Sequence, residues 1–483
     1  MKDAGDQHRL TPPVAIQDGA RSHEQSLRRA LWRQFNEGEI EVVEVPVDPR
    51  YELGAIMSLR GSGSTQYFSS VNGTSIPVLG NMLNTRRKIA SALGASEADL
   101  HRRLLEAIDT GIEPVLVDAG PVMETTVRAP IDVAKLLPVP TWFEKESGPY
   151  ISAGIVIAKD PVTGARNVSI ARMLVLGGDR LMAGIAPNHH LSQLMYKAHA
   201  LGRNLEIAIV IGNHPAVLVA SQLYLSLGFD ELTVAGSLLA QPIELVRCKT
   251  VDLEVPAHAE IVLEATLHAD EEVNEGLVSE FHGFYMRYGP GQLVRVTSVS
   301  HRAQPIYQAI SLGYEPEHVL LGGEAIAAGL CRALRAVVPN VAAVAVTEGG
   351  MGRFHAVVSI HRPRPGEGKR VALLAFGQVS ILKMVTVVDS DIDVHDPRQV
   401  EWSIAARMRA DEDVLVIPGV KADRCDPSSE NGTLAKLALI ATSRPGDAND
   451  ETRVFAKAPD AILKRVKETF GTNSIPKEAS DAR

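Results

Sequence analysis

Glu275 and Glu280, in the stretch NEGLVSEFHGFY, are residues of a type that does acid–base work. Two carboxyl groups can divide such work, one giving a proton and one holding a charge, when their surroundings differ. Their spacing of five is awkward. Five residues advance a helix by about 500°, so the pair cannot share a helical face. On a strand an odd spacing puts them on opposite faces. Only a turn brings them together, and Gly276 and Gly283 give the backbone freedom for one. The plain alternative is two solvated carboxylates on a turn, because Glu is mostly exposed.

Other candidates lie upstream. Asn167 and Arg172 bound NVSIAR, Asn188, His189 and His190 fall in PNHH, and Asp230 and Glu231 fall in GFDEL. Asn, His and Glu together suit a hard or borderline divalent ion such as Mg²⁺ or Mn²⁺, and the absence of an accompanying thiol argues against structural zinc. Taken alone, a residue such as His190 is more often a helix-cap residue than a ligand. Three further motifs fail on mechanics. EGGMGRF (348–354) has neither G-x-G-x-x-G nor the Lys-Ser/Thr of a phosphate loop and reads as a tight turn. DSDIDVHD sets Asp389, Asp391 and Asp393 like a calcium loop, but Val394 stands where Gly is needed and Val400 where Glu is needed, so a solvated strand end is expected. No G-x-S-x-G elbow supplies a serine nucleophile.

The elements that must position these groups change in texture along the chain. Residues 1–23 read as a loose tail. EQSLRRALWRQFNEG, NTRRKIASALG and SEADLHRRLLEAIDTG have helical spacing, with Leu27, Leu31 and Phe35 four apart and Ser96 with Asp99 as a weak capping box. A small α/β unit is expected over 24–125. Over 126–305, β-branched runs bounded by Gly, Pro and Asp predict a barrel-like sheet carrying the chemistry, with one embedded helix, HHLSQLMYKAHALG. Over 306–450 helices and strands alternate, which predicts a separate α/β layer domain, followed by a helix or tail over 451–483. The fold class is thus α/β (α+β).

A chain of 483 residues exceeds one core, and 45% hydrophobic residues describe an ordinary soluble protein. A net charge of −9 with scattered Lys and Arg argues against a nucleic-acid partner. Cys248, Cys331 and Cys425, odd in number and far apart, fit a reducing compartment. With no signal-like apolar run and no stretch near about 18 apolar residues, the expectation is a cytoplasmic protein without a membrane partner.

In order and spacing these residues resemble the UbiD family of prenylated-flavin decarboxylases over about residues 26–445. The resemblance is carried by N-x4-R (Asn167, Arg172), His190 eighteen residues after that Arg, Glu231, IELVRCKTVDLEVPAHAEIVLEA, E-G-x3-E (Glu275–Glu280) before HGFY, and DIDVHDPRQVEWSIAAR. It departs where P-E-G-P-x-G-E is usual: Asn274, Leu277 and Ser279 replace Pro, Pro and Gly, which predicts a looser loop. KLALIAT, with Ala438 and Ile440, replaces K-M-G-x-D-A-T.

The resemblance implies a split β-barrel that binds prenylated FMN, with a C-terminal oligomerisation domain and a homodimer or higher homo-oligomer. It implies reversible decarboxylation of a small aromatic or heteroaromatic acid, releasing CO₂, through a covalent adduct with the cofactor, which a flavin prenyltransferase supplies. The need for a cofactor is chemical, since no side chain accepts the electrons left by departing CO₂. By resemblance Glu280 is the proton donor and Glu275 holds Arg172 over the cofactor. Asn167, Val168, Ser169, Ile170, Ala171, Arg172, His189, His190 and Glu231 would line the cofactor. Asn167, His190 and Glu231 would bind Mn²⁺ or Mg²⁺, and K⁺ would sit near the backbone of Ala220, Ser221 and Leu223 with Glu231. AISLGYEPEHVLLGGEAIAAGL is expected as a strand-and-turn pocket wall presenting His318, while Phe281, Phe284 and Tyr285 read either as a flat apolar slot or as core aromatics. No Arg follows His318 until Arg332, so a monocarboxylate of pyrrole, furan, indole or benzene type is favoured. The rival readings are a non-catalytic flavin-binding scaffold on the same fold and an ordinary FMN oxidoreductase.

Overall fold

A computed structural model describes residues 12–470 apart from 224, 445, 448–451, 453–455 and 457. The ends of both expected tails, 1–11 and 471–483, lie outside the described residues. The chain forms two compact units, one through Ala328 and one from Gly329.

In the first unit, a four-stranded sheet runs in the order Ile40–Val43, Thr65–Phe68, Val78–Gly80, Tyr307–Gln308. Its last strand comes from beyond residue 305, so the chain returns to the N-terminal block after completing the barrel. The supposed tail is also structured. Val14–Gln17 and Asp18–Ala20 are helical turns with Ile16 fully buried, because Gly19 lets the chain approach the backbone of Arg28. Ser96 and Asp99 do bond to each other, but in the turn before the helix, which starts at Leu100.

The strand-rich middle forms a nine-stranded sheet whose pairs are all antiparallel. Its order is Tyr150–Ile151, Met173–Gly177, Arg180–Ala183, Pro290–His301, Ile261–Asn274, Leu205–Ile211, Ile155–Lys159, Arg166–Ile170, with Thr125–Arg128 also on Pro290–His301. Six strand spacings separate the second strand from the eighth, about 29 Å if the sheet were flat. Yet only Ala171 and Arg172 connect those two strands, a reach of about 11 Å. The sheet therefore curls into a split barrel, and Arg172 sits on its seam.

Pro316–Arg335 is one helix. The expected strand-and-turn wall is therefore helical from Pro316 onward, with Gly322 and Gly323 inside the helix instead of forming a turn. The second unit carries a five-stranded sheet in the order Val341–Val346, His355–Ile360, Met384–Asp389, Thr433–Ala441, Val414–Lys421, with helices Glu367–Gln378 and Pro397–Arg407. EGGMGRF is the turn between its first two strands. KLALIAT begins inside Thr433–Ala441 and ends one residue past it; its Ala438 and Ile440 are buried, and Ile440 fills the space against Gly368. Asp389 is a buried strand end, not a solvated one: Arg407 Nη1 donates to its Oδ2 at 2.8 Å. Among the described residues no helix is long and apolar enough to cross a membrane.

Candidate functional site

Arg172 leaves the barrel seam and meets both glutamates. Its Nε and Nη2 donate to Glu275 Oε1 and Oε2 at 2.6 and 2.8 Å, a fork-to-fork pair that fixes the guanidinium plane. Nη1, left over by that pair, donates to Glu280 Oε1 at 3.4 Å. Burial works against the charge of Arg172, but the bonds to Glu275 and the charges of Glu280 and Glu275 outweigh it, so its pKa is raised. Glu275 and Glu280 are only 2% and 9% exposed, which rules out the solvated alternative. The turn that unites them runs from the end of strand Ile261–Asn274 through Gly276 (φ +78°) and Val278–Ser279 to Gly283 (φ +84°).

Further residues complete the frame. The Arg172 guanidinium stacks 5.0 Å from the Tyr288 ring centre. On another side lies Gly184, where a Cβ would come within 2.9 Å of the guanidinium carbon. The Tyr150 hydroxyl is buried beside the pair, and burial followed by the charge of Glu275 raises its pKa. Ser279 donates its hydroxyl to Glu146 Oε1 at 2.5 Å, and Asn274 Oδ1 accepts from Gly276 N at 3.2 Å. The expected loosening of the loop is thus offset by two added tethers. Only chain-wide contacts reveal Glu146, Tyr150, Gly184 and Tyr288; none of these carries a local spacing signal.

The metal candidates converge in part. Asn167 Oδ1 lies 3.2 Å from His190 Nδ1, and Glu231 Oε2 accepts from Val168 N, the residue beside Asn167, at 2.7 Å. Glu231 is 4% exposed and has no cationic partner among the described residues; burial pushes its carboxyl up to about 8. Burial also lowers the pKa of His190, which keeps the imidazole in the form that ligates. The neighbours have other work. Asp230 caps the helix Glu231–Leu239 and pairs with Arg166, while His189 is exposed at the N-cap of His190–Ala200. Val168 and Ala171 are buried, with Ser169 and Ile170 half-buried beside them. Ala220 and Ser221 end the helix Pro215–Ala220, and Leu223 N donates to Ala220 O at 3.1 Å.

Phe281 and His318 meet edge to face with ring centres 6.4 Å apart, and His318 Nδ1 lies 3.0 Å from Gly313 O. Phe284 does not join them. It is 61% exposed, because Gly283 turns the chain outward. Tyr285 instead accepts a hydrogen bond from Lys145 N at 3.3 Å.

The 3-octaprenyl-4-hydroxybenzoate carboxy-lyase (UbiD) domain profiles match almost end to end: the N-terminal domain at residues 35–108, the Rift-related domain at 115–315 and the C-terminal domain at 319–442. The chain belongs to the UbiD family. Among curated relatives, the anhydromevalonate phosphate decarboxylase of Methanothermobacter thermautotrophicus is 35% identical over 418 residues, 86% of this chain and 97% of that one. Among solved structures, the UbiD-class enzyme HmfF from Pelotomaculum thermopropionicum in complex with FMN is 40% identical, with a TM-score of 0.86 over 91% of this chain and 98% of that one. An evolved dimeric form of HmfF in complex with prFMN gives 38% identity and a TM-score of 0.83 over the same shares, 91% and 98%. The Klebsiella pneumoniae 3,4-dihydroxybenzoic acid decarboxylase is 28% identical, with a TM-score of 0.83 over 92% of this chain and 100% of that one. The UbiD fold thus accounts for the α/β architecture, the barrel and the C-terminal sheet together.

A UbiD cofactor and its metal fit the residues present. The buried carboxyl of Glu231, a neutral His190 and the Asn167 carbonyl would supply a mixed O/N donor set with one uncompensated acid, which suits a divalent cation.

Proposed function

We propose that this UbiD protein is a prenylated-FMN-dependent carboxy-lyase that reversibly decarboxylates a small aromatic or heteroaromatic monocarboxylic acid. The observation that carries the reaction class is the buried Arg172–Glu275–Glu280 set, which neither a scaffold nor an ordinary FMN oxidoreductase would need. Bound beside it, prenylated FMN would supply the electron sink for the departing CO₂. Asn167, His190 and Glu231 would hold Mn²⁺ or Mg²⁺ against the cofactor phosphate, with K⁺ near Ala220, Ser221 and Leu223.

The protein's own part is positioning and proton delivery. Glu275 neutralises Arg172 and locks its plane. The long contact from Nη1 steadies Glu280 through Oε1, while Oε2 accepts only a long bond from Phe281 N at 3.4 Å among the described residues. Glu280 therefore has a free edge from which to pass a proton to the product carbon once CO₂ leaves. Burial of both carboxyls keeps bulk water from supplying that proton instead.

The Phe281–His318 pair supports an aromatic acid, since a flat ring packs against Phe281 and His318 offers one polar contact. A second reading is a phosphorylated acid, favoured by the anhydromevalonate phosphate decarboxylases among the relatives. Protein produced with and without a flavin prenyltransferase, assayed on a panel of both acid types, separates them. Activity is expected only with the prenyltransferase, on ring acids, with carboxylation detectable in concentrated bicarbonate. Equal activity from both preparations sinks the cofactor assignment, and turnover confined to the phosphorylated acid sinks the aromatic one. Glu280→Gln should abolish turnover and solvent-deuterium exchange while leaving flavin bound; full activity would remove Glu280 as proton donor. A homo-oligomer, as in the dimeric form of HmfF, is proposed for the assembly.

A further inference from the structure

Glu280 is held weakly by its own side chain. Its contacts to Arg172 Nη1 and Phe281 N are both 3.4 Å, against 2.6 and 2.8 Å for Glu275. What places Glu280 is therefore its backbone, which bonds to the turn after it (Glu280 N to Phe284 O at 3.1 Å, Gly283 N to Glu280 O at 2.8 Å) and is gripped before it from residues 142–147. Glu146, 8% exposed, accepts from Trp142 N and Phe143 N through Oε2 at 3.0 and 3.1 Å and from the Ser279 hydroxyl through Oε1 at 2.5 Å. Next to it, the Ser147 hydroxyl donates to Leu277 O at 3.4 Å and lies where a Cβ on Gly276 would be, at 2.2 Å. Trp142 is itself buried and packs against Gly54, so the anchor is fixed from behind.

We infer that Glu146 is a positioning residue, acting through the Ser279 hydroxyl to hold Glu280 in reach of Arg172. The proposal rests on Glu280 as the proton donor and names a contact of this chain's own, since glycine is the residue usual at position 279. A buried carboxylate is costly unless bonded, and here two backbone N–H groups and one hydroxyl satisfy it. Removing the hydroxyl takes away its bond to Oε1, leaves only the Ser279 backbone N–H facing the acid, and loosens the residue adjoining Glu280.

The test is steady-state kinetics of the holoenzyme on its best ring acid. Ser279→Ala should lower kcat about ten- to a hundredfold, as expected for a proton donor displaced by roughly an ångström. KM, flavin content and melting temperature should stay near wild type, while the pH dependence of kcat changes. Ser279→Thr, which keeps the hydroxyl, should recover most of the loss. Glu146→Ala should cost at least as much, and the double variant no more than Glu146→Ala alone, because both remove one contact. Wild-type kcat in Ser279→Ala, additive losses in the double variant, or loss of flavin and stability with an unchanged pH profile each overturn the proposal. Ser279→Ala decides by itself if Glu146→Ala fails to fold. The underlying reading has its own control: an active Glu280→Gln removes both, whereas an inactive Glu280→Gln beside a normal Ser279→Ala removes only the tether.

Discussion

Glu231 shows at the level of one residue how a site can be recognised without its ligand. A carboxyl so well buried, bonded only to backbone amides and unpaired with any cation among the described residues, is destabilising unless something charged completes it. If that partner is the proposed Mn²⁺, the wild-type protein should gain melting temperature on adding MnCl₂. At a hundredfold excess over Kd the gain corresponds to about 2.7 kcal/mol. Glu231→Ala should show no such gain and should lose ion and flavin together on desalting, measured by elemental analysis and flavin absorbance. Metal content equal to wild type would move the ligand set elsewhere. His23, Glu244 and His258 form the other cluster of potential ligands among the described residues, but its geometry favours hydrogen bonding. Gln25 N donates to His23 Nδ1 at 3.4 Å, which leaves the proton on Nε2, facing Glu244.

At the level of elements, the turn between the two glutamates does what neither a helix nor a strand can. Gly276 is required there twice over: its φ of +78° favours glycine, and Ser147 Oγ occupies the Cβ position at 2.2 Å. Gly164, with a similar φ of +75° and open space around it, isolates the backbone cost. Gly164→Ala should destabilise by about 1–2 kcal/mol without touching kcat. Gly276→Ala should destabilise by more and lower kcat at least tenfold, since the clash must be relieved by moving the loop that carries Glu275 and Glu280. Equal unfolding free energies and unchanged kcat for both would show that the 142–147 grip does not set the loop.

For the molecule as a whole, pH acts through histidines that each unit keeps neutral. Burial lowers the pKa of His214 to about 3 in the first unit and that of His355 to about 4 in the second. Both lie below the ordinary value of 6.5 that the unfolded chain would show, so the unfolded state binds more protons as the medium is acidified. Their contribution is complete above pH 6.5 and declines below it, by up to about 1.4 kcal/mol per pH unit for each. Buried Glu317, raised to about 7, acts in the opposite sense and gains stability as pH falls, so the total curve mixes both. The clean measurement is a difference. His214 caps Pro215–Ala220 by accepting from Ala216 N at 3.1 Å, and His214→Asn keeps a capping acceptor without the titrating ring. Its urea-unfolding free energy should fall less steeply than wild type between pH 6.5 and 4.5; parallel curves would exclude His214 as a source of acid lability.

Sequence by itself determined the local and periodic features. Alternation and helical spacing found the barrel strands, the helix after PNHH and the layered C-terminal sheet, because burial on one face imposes those periods on any chain. The order of Asn167, Arg172, His190, Glu231, Glu275 and Glu280 carried the family, and the need for a turn between the glutamates followed from spacing alone. Tertiary structure decided which groups touch. Arg172 reaches glutamates more than a hundred residues away only because the barrel closes at its seam, and no local pattern encodes that closure. Glu146, Gly184 and Tyr288 were invisible for the same reason, since each contributes through a contact between distant segments. The misreadings have physical causes as well. Phe284 looked like a pocket residue until Gly283 turned it to solvent. AISLGYEPEHVLLGGEAIAAGL suggested strand and turn, whereas from Pro316 it is a packed helix that tolerates Gly322 and Gly323 at a cost of about 1 kcal/mol each. Gly19, read as part of a loose tail, permits a close approach that only a packed neighbour makes worthwhile.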